Sequence, residues 1–376
     1  MSEPGRIALR AQPPPPSRGP GERRRILANV LAAAVLLSAA PALAVRPLTP
    51  PAPEFPEGDA WYNSQELTMK RLLKRRVVVV SFLNFTSLNS IRTFGALRTW
   101  WDRYSQEGLM IVGVHTPDYE SDKDIAGVRA AIKRFGLRFP IVVDNDRRIW
   151  DAYANAGWPS HYLVDSRGLL IFDRMGEGGY REFESELRDA LQRFNRYRPP
   201  RDAALGDDPP AADCGDSTPL RYVGARRGRL LNLEGVRETQ RVLTANRDGE
   251  VSYRGRWTLE PDALRLARDN PGLNDYLRLI YRGAEAVSLT GSEGGRPTKV
   301  FVKQDDIWLH ANNAGQDVQW DTTDRSFVVV SGTRLYYIAK NEDDNMHELV
   351  LEPSEAGLGF QGFDFSNRCQ TQYDHK

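Results

Sequence analysis

Hydrophobic residues along the chain follow two regimes, and the change falls near residue 200. In the first, unbroken apolar runs alternate with amphipathic stretches. Val77-Val78-Val79-Val80-Ser81-Phe82 is a continuous, mostly β-branched run, which predicts a strand covered on both faces. Ile91, Phe94, Leu97, Trp101 and Tyr104 then recur near helical spacing without proline, predicting a helix over 91–106. A second buried strand is expected at 109–114 and a third at 141–144. Between them, Ile125, Val128, Ala131, Ile132 and Phe135 mark the inner face of a helix over 122–135. Residues 64–74 have helical or turn character, 147–154 and 182–194 read as helices, and 162–165 with 169–173 form a hairpin through Ser166-Arg167-Gly168. Strands alternating with helices, closed by a hairpin and a helix, make an α/β sandwich with a mixed sheet.

The second regime has hardly a helix. Short alternating runs at 251–253, 276–281, 286–290, 299–303, 307–309, 326–330, 334–339, 348–351 and 360–365 predict an all-β, antiparallel sandwich of jelly-roll type. Residues 196–220, rich in Pro, Asp, Arg and Ala, read as the linker between the two halves.

Composition adds little about partners. The chain has 376 residues and a formal net charge of +1, so no global field argues for nucleic acid. The N-terminus is more informative. Arg23-Arg24-Arg25 precedes an apolar run and then Ala42-Leu43-Ala44, a small-x-small cleavage pattern. Residues 1–44 therefore read as an export signal, with an uncleaved membrane anchor as the alternative; either places the bulk of the chain outside the cytoplasm. Residues 45–58 hold five prolines and read as a stiff spacer. The domains are then 59–195 and 221–370. The two cysteines, Cys214 and Cys369, bracket the second domain, and export predicts a disulfide between them, against two unpaired thiols. The five histidines are scattered with no metal-ligand pair spacing, so neither metal nor cofactor is expected.

Candidate chemistry centres on Ser87-Leu88-Asn89-Ser90, between the Val77 strand and the helix that follows. Asn84, Thr86, Ser87 and Asn89 are all good helix caps. A helix N-terminus lowers the pKa of a thiol placed there, whereas a serine hydroxyl gains nothing comparable. The stretch from Ser87 to Gly95, S-L-N-S-I-R-T-F-G, resembles the C-I-N-C-I-R-T-L-P segment of the extracytoplasmic thioredoxin-like domain of DipZ-type and TlpA-like proteins. Asn89, Ile91, Arg92 and Thr93 match; both cysteine positions are serine and the proline is Gly95. Trp100-Trp101-Asp102-Arg103-Tyr104, Trp158-Pro159-Ser160-His161 and Gly176-Glu177-Gly178-Gly179-Tyr180 extend the resemblance. In the second half, features such as Gly255-Arg256-Trp257, Trp320-Asp321 and His347-Glu348-Leu349 resemble the carbohydrate-binding-module-like domain of DipZ-type proteins.

The resemblance implies a thioredoxin-like fold, a location in a bacterial periplasm or cell envelope, and a cis Trp158-Pro159 bond beside the former cysteine pair. Ser87 as a hydrolytic nucleophile would need a base in reach and a group to orient it. His115 and His161 stand where the family has histidine during thiol chemistry, so Ser87 and Ser90 read as capping or solvated hydroxyls. The expected function is a redox-inactive binding or scaffolding module. Its partner is a protein segment in the groove beside Ser87 and Pro159. An accessory role in a thiol-disulfide pathway, or glycan binding on Trp257, Trp308 and Trp320, are the alternatives. Against the glycan reading, each ring has the competing role of core filler.

Overall fold

The computed structural model describes residues 49–73, 75–195, 216–231 and 247–367. The signal or anchor at 1–44 and both cysteines of the expected disulfide lie outside the described residues. The chain from Leu48 onward is one compact unit.

Its first half is built on a six-stranded sheet in the order β1-β4-β3-β2-β5-β6. These strands are β1 (Ala60–Tyr62), β2 (Val77–Leu83), β3 (Leu109–His115), β4 (Ile141–Val143), β5 (Ser160–Val164) and β6 (Leu170–Met175). Every residue of β2 is buried, because helices cover both faces of the sheet. Val77 and Val79 pack with α2 (Leu88–Tyr104), α3 (Ile125–Arg134) and α5 (Tyr180–Asn195). Val78, Val80 and Phe82 pack with α1 (Met69–Leu72) and α4 (Arg148–Ala152). The β2 strand runs parallel to β3 and antiparallel to β5, so the sheet is mixed as expected. The turn into β3 needs glycine. Gly108 has φ 106°, and a Cβ there would lie 2.8 Å from the Phe194 ring.

Among the described residues of the second half the paired strands are antiparallel, with one isolated parallel bridge between Leu230 and Val251. One sheet has the order β17-β12-β19-β10-β9, with β7 beside β19; the other has β15-β16-β13-β18-β11-β8, with β14 beside β13. In chain order these are β7 (Arg221–Tyr222), β8 (Val251–Arg254), β9 (Trp257–Leu259), β10 (Leu264–Leu266), β11 (Tyr276–Arg282), β12 (Glu285–Ser292), β13 (Thr298–Gln304), β14 (Ile307–Trp308), β15 (Val318–Trp320), β16 (Ser326–Val330), β17 (Arg334–Lys340), β18 (Met346–Pro353) and β19 (Leu358–Ser366). Leu277, Leu279, Val300 and Val302 of one sheet share a core with Leu264, Tyr336, Ile338 and Phe360 of the other. Among the described residues, five strands fall outside the sequence-based set: β1, β7, β9, β10 and β15, each of two or three residues. Runs so short carry no alternation to detect.

The two halves are not separately cored. Val287 and Leu289 of β12, with Leu335 and Tyr337 of β17, belong to the same cluster as α2, α3 and α5. Their neighbours Ala286, Tyr336 and Ile338 point into the sandwich. The period-2 pleat thus sends alternate residues of β12 and β17 into two different cores. The first sheet of the sandwich, wet on neither face here, is held between them.

Candidate functional site

The site sits where β2 hands over to α2. Ser87 is the N-cap of α2, with extended backbone (φ −101°, ψ 120°), and its Oγ accepts the Ser90 N–H at 3.3 Å. Ser90 is 0% exposed; its Oγ accepts the Asn84 N–H at 3.2 Å. Asn84 is locked in turn. Its Nδ2 donates to the Asp122 carboxylate at 2.9 Å and to the Thr116 carbonyl at 3.2 Å, and its Oδ1 accepts the Thr86 N–H at 2.6 Å. Both serine hydroxyls therefore satisfy backbone N–H groups at the end of the strand and the first turn of the helix.

The opposite wall carries Trp158 and Pro159, joined by a cis peptide bond, as the resemblance implied. Pro159 is buried. Trp158 is half-buried, with its ring 4.4 Å from Trp150 and the Arg147 guanidinium 5.7 Å from its centroid. Of Ser87, Ser90, Trp158 and Pro159, Ser87 and Trp158 line one cleft.

What the sequence did not suggest is how much of that place the second half covers. Ser87, Asn89 and Trp158 line a cleft of about 270 Å³ whose wall from the second half includes Ser217, Leu220, Asp364 and Phe365. Asp364, on β19, accepts the Phe365 N–H at 2.9 Å and lines the cleft beside the first turn of α2, where the Leu88 N–H helps to hold its pKa down. Burial raises its pKa, while those two N–H groups and Arg92 oppose the rise. The N-terminal end of α2, which concentrates positive potential, is therefore already occupied by a carboxylate of the same chain.

Ionic contacts pin this arrangement. Arg92, 2% exposed on α2, lies 2.8 Å from Glu285 of β12 and 3.4 Å from Glu177 ahead of α5. Burial, resisted by Arg92, pushes Glu177 up to about 7. Across the cleft, Arg227 donates to the Asp118 carboxylate at 2.7 Å and to its carbonyl at 3.0 Å, and the Tyr222 hydroxyl donates to the same carboxylate at 3.1 Å. The Arg227 guanidinium lies over the Tyr222 ring, 3.7 Å from its centroid, and Ser121 donates to Gln361 at 2.8 Å.

Of the three tryptophans considered for sugar stacking, Trp257 is 1% exposed and donates its indole N–H to the Arg254 carbonyl at 2.8 Å. It is a core residue and has no free face, since β9 turns its ring inward against Tyr253 and Phe360. Trp308 is half-buried, with the Lys303 ammonium 4.5 Å from its centroid. Trp320 is 41% exposed and donates to the Leu309 carbonyl at 2.7 Å. These two have accessible faces.

Buried histidines set the pH response. His161, on β5, meets the Ser81 hydroxyl at 3.0 Å, and burial, with a smaller contribution from Arg174, lowers its pKa to about 4. An unfolded histidine titrates near 6.5, so as pH falls from about 6.5 to 4 the unfolded state takes up a proton that the folded state refuses. His161 therefore stabilises the fold fully above that window and loses about 3 kcal/mol across it. Glu177 has the opposite sign: its folded pKa is raised, so its contribution is full below about 4.5 and is lost as pH rises through about 7. The two slopes oppose each other in the wild type, and a variant separates them. In urea titrations at pH 7, 5.5 and 4, His161→Gln is expected to gain about 3 kcal/mol on the wild type as pH falls. Parallel profiles would contradict the assignment.

The sheet order and the helices on both faces of the sheet give the first half a thioredoxin-like fold. Over 261 residues the chain is 27% identical to protein DipZ of Mycobacterium tuberculosis (strain CDC 1551 / Oshkosh), a match covering 65% of this chain and 35% of that protein. It is 31% identical over 318 residues to human NHL repeat-containing protein 2, covering 83% of this chain and 37% of that protein. It is 27% identical over 144 residues to the thiol-disulfide oxidoreductase YkuV of Bacillus subtilis (strain 168), covering 38% of this chain and 96% of that protein. The chain thus spans about a third of the length of the first two relatives. No family model matches it.

Proposed function

We propose that this is a redox-inactive thioredoxin-like protein of the bacterial cell envelope, in which Ser87 and Ser90 stand at the positions of a lost Cys-x-x-Cys pair and the former active site serves binding. One observation carries the reading. Both hydroxyls at the start of α2 are engaged in holding structure: Ser87 Oγ accepts the Ser90 N–H, and Ser90 Oγ accepts the Asn84 N–H. The sequence has no cysteine between residues 49 and 195 to supply chemistry there. A serine hydroxyl neither ionises near neutral pH nor forms a disulfide.

The ligand of this module is a protein segment meeting the cleft beside Ser87, Trp158 and Pro159. A cleft of about 270 Å³ admits a side chain or a chain end rather than a long extended strand. The names of the relatives favour a partner within thiol-disulfide exchange, with this chain as an accessory component rather than a catalyst. Export and a glycan contact at Trp308 and Trp320 belong to the same proposal. No described helix is long and apolar enough to cross a membrane.

Site-specific photocrosslinking tests the binding surface. A benzophenone amino acid replaces exposed Asn89 at the cleft, and Ile307, 59% exposed on the sandwich, serves as the remote control. In the envelope fraction, a discrete adduct from position 89 that is absent from position 307 is the expected result. Identical patterns from both positions would remove the cleft as a protein-binding site.

A further inference from the structure

A second and larger cleft, about 500 Å³, opens at the junction of the two halves, between α3 and the loop that enters β17. Volumes of this size suit small molecules, and the boundary between two packed units is a common place for them. Its apolar wall is Phe85, Phe135, Val128 and Ala131. The Phe85 and Phe135 rings are parallel within 6°, with centroids 6.3 Å apart.

Polar groups are few and distinct. His115 lines the cleft, stacks on Phe85 at 4.9 Å and is 1% exposed. Its Nε2 faces the Asp122 carbonyl at 3.0 Å and must carry the proton, since a carbonyl only accepts. Nδ1 is then an acceptor, and it has no partner among the described residues. At the solvent-exposed side stand Arg134 and Arg334. Arg334 is held by Asp317 through two bonds of 2.7 and 3.0 Å. The Arg134 guanidinium lies over the Phe135 ring, 5.2 Å from its centroid. Burial, and then repulsion from Arg334, lower its pKa, while Asp317 and the Tyr336 and Tyr337 hydroxyls oppose the fall.

The two carboxylates lining the cleft are already committed. Asp122 accepts from Asn84, Thr86 and the N–H groups of Asp118 and Tyr119, and Asp124 caps α3. Asp317 is thus paired with Arg334, and Arg134 has no carboxylate partner among the described residues, at the rim of an aromatic hollow that ends on an unpartnered acceptor. We propose that this cleft binds a small aromatic carboxylate, its ring against Phe85, Phe135 and Ala131, its acid group on Arg134 and Arg334, and a ligand hydroxyl donating to His115 Nδ1.

The proposal is independent of what meets the start of α2. Calorimetric titration of the full chain with 3-(4-hydroxyphenyl)propionate, and with the corresponding neutral amide, tests it. The expected result is saturable one-to-one binding of the acid, with affinity about tenfold lower for the amide and for Arg134→Gln. Ala131→Leu, which fills the cleft, is expected to abolish binding. Should that variant fold poorly, Arg134→Gln decides alone, since among the described residues the Arg134 head group makes no hydrogen bond or ion pair and lies over Phe135. Absence of saturable heat up to about 10 mM acid, or equal affinity for acid and amide, would overturn the assignment.

Discussion

Replacing Arg92 by methionine is expected to cost the folded chain about 3–5 kcal/mol at pH 8, the largest single effect the structure predicts. Methionine keeps much of the buried stem and removes the charge. The guanidinium, 2% exposed, is the cation between Glu177 and Glu285, and it also offsets the buried Asp364. Glu285 has a second donor, the Ser366 hydroxyl at 2.7 Å, which cannot replace a positive charge. Without Arg92 these carboxylates remain in a low-dielectric junction with no opposite charge, and a buried ion pair broken from one side is costly for that reason. The loss depends on pH. Glu177 already binds its proton up to about pH 7 and would hold it higher still without Arg92, so acidification neutralises the stranded charge. Urea denaturation should show the full deficit at pH 8 and a smaller one at pH 5. A deficit below about 1 kcal/mol at both pH values would mean that the cluster is not what joins the halves.

Ser87→Cys combined with Ser90→Cys is expected to restore a disulfide without restoring a general oxidoreductase. The two positions occupy the N-cap and first turn of α2, where a Cys-x-x-Cys pair can close, and closure is read as a mass loss of about 2 Da. Reaction with a small disulfide such as oxidised glutathione should exceed the wild type at least about tenfold, because a thiol at this helix terminus has an appreciable thiolate fraction. Reduction of insulin should stay near background. The wall formed by Ser217, Leu220, Asp364 and Phe365 leaves a cleft of about 270 Å³, too small to admit a folded protein disulfide. If the double variant reduced insulin as readily as the small disulfide, the covering by the sandwich would be of no functional account.

The Val77 strand, the helix after Ser87 and the Trp158-Pro159 pair were all legible because each is a local pattern: a β-branched run, a capping cluster followed by helical spacing, and an X-Pro bond in a known context. Most of the sandwich strands were legible by alternation for the same reason. The shared core was not. Residues 286–290 read as a strand, but a single sequence does not say that Val287 and Leu289 face α2 and α3 while Ala286 faces the sandwich. The structure buries six consecutive residues of β12, yet Ser288 and Thr290 alternate with Val287 and Leu289 in the sequence and read as a solvent face. Arg92 was visible as a family match, yet its partner Glu285 lies 193 positions away. Asp364 gave no sign of its place at the end of α2. Trp257 could not be separated from Trp308 and Trp320 by composition; only the inward turn of β9 does so.

Catalysed insulin reduction by the unmodified full chain, with dithiothreitol as electron donor and an active Cys-x-x-Cys thioredoxin alongside, tests the central claim most directly. The account predicts precipitation of insulin chains at the rate set by dithiothreitol alone, since Ser87 and Ser90 can form no mixed disulfide. A protein-dependent rate proportional to the concentration of this chain would contradict it.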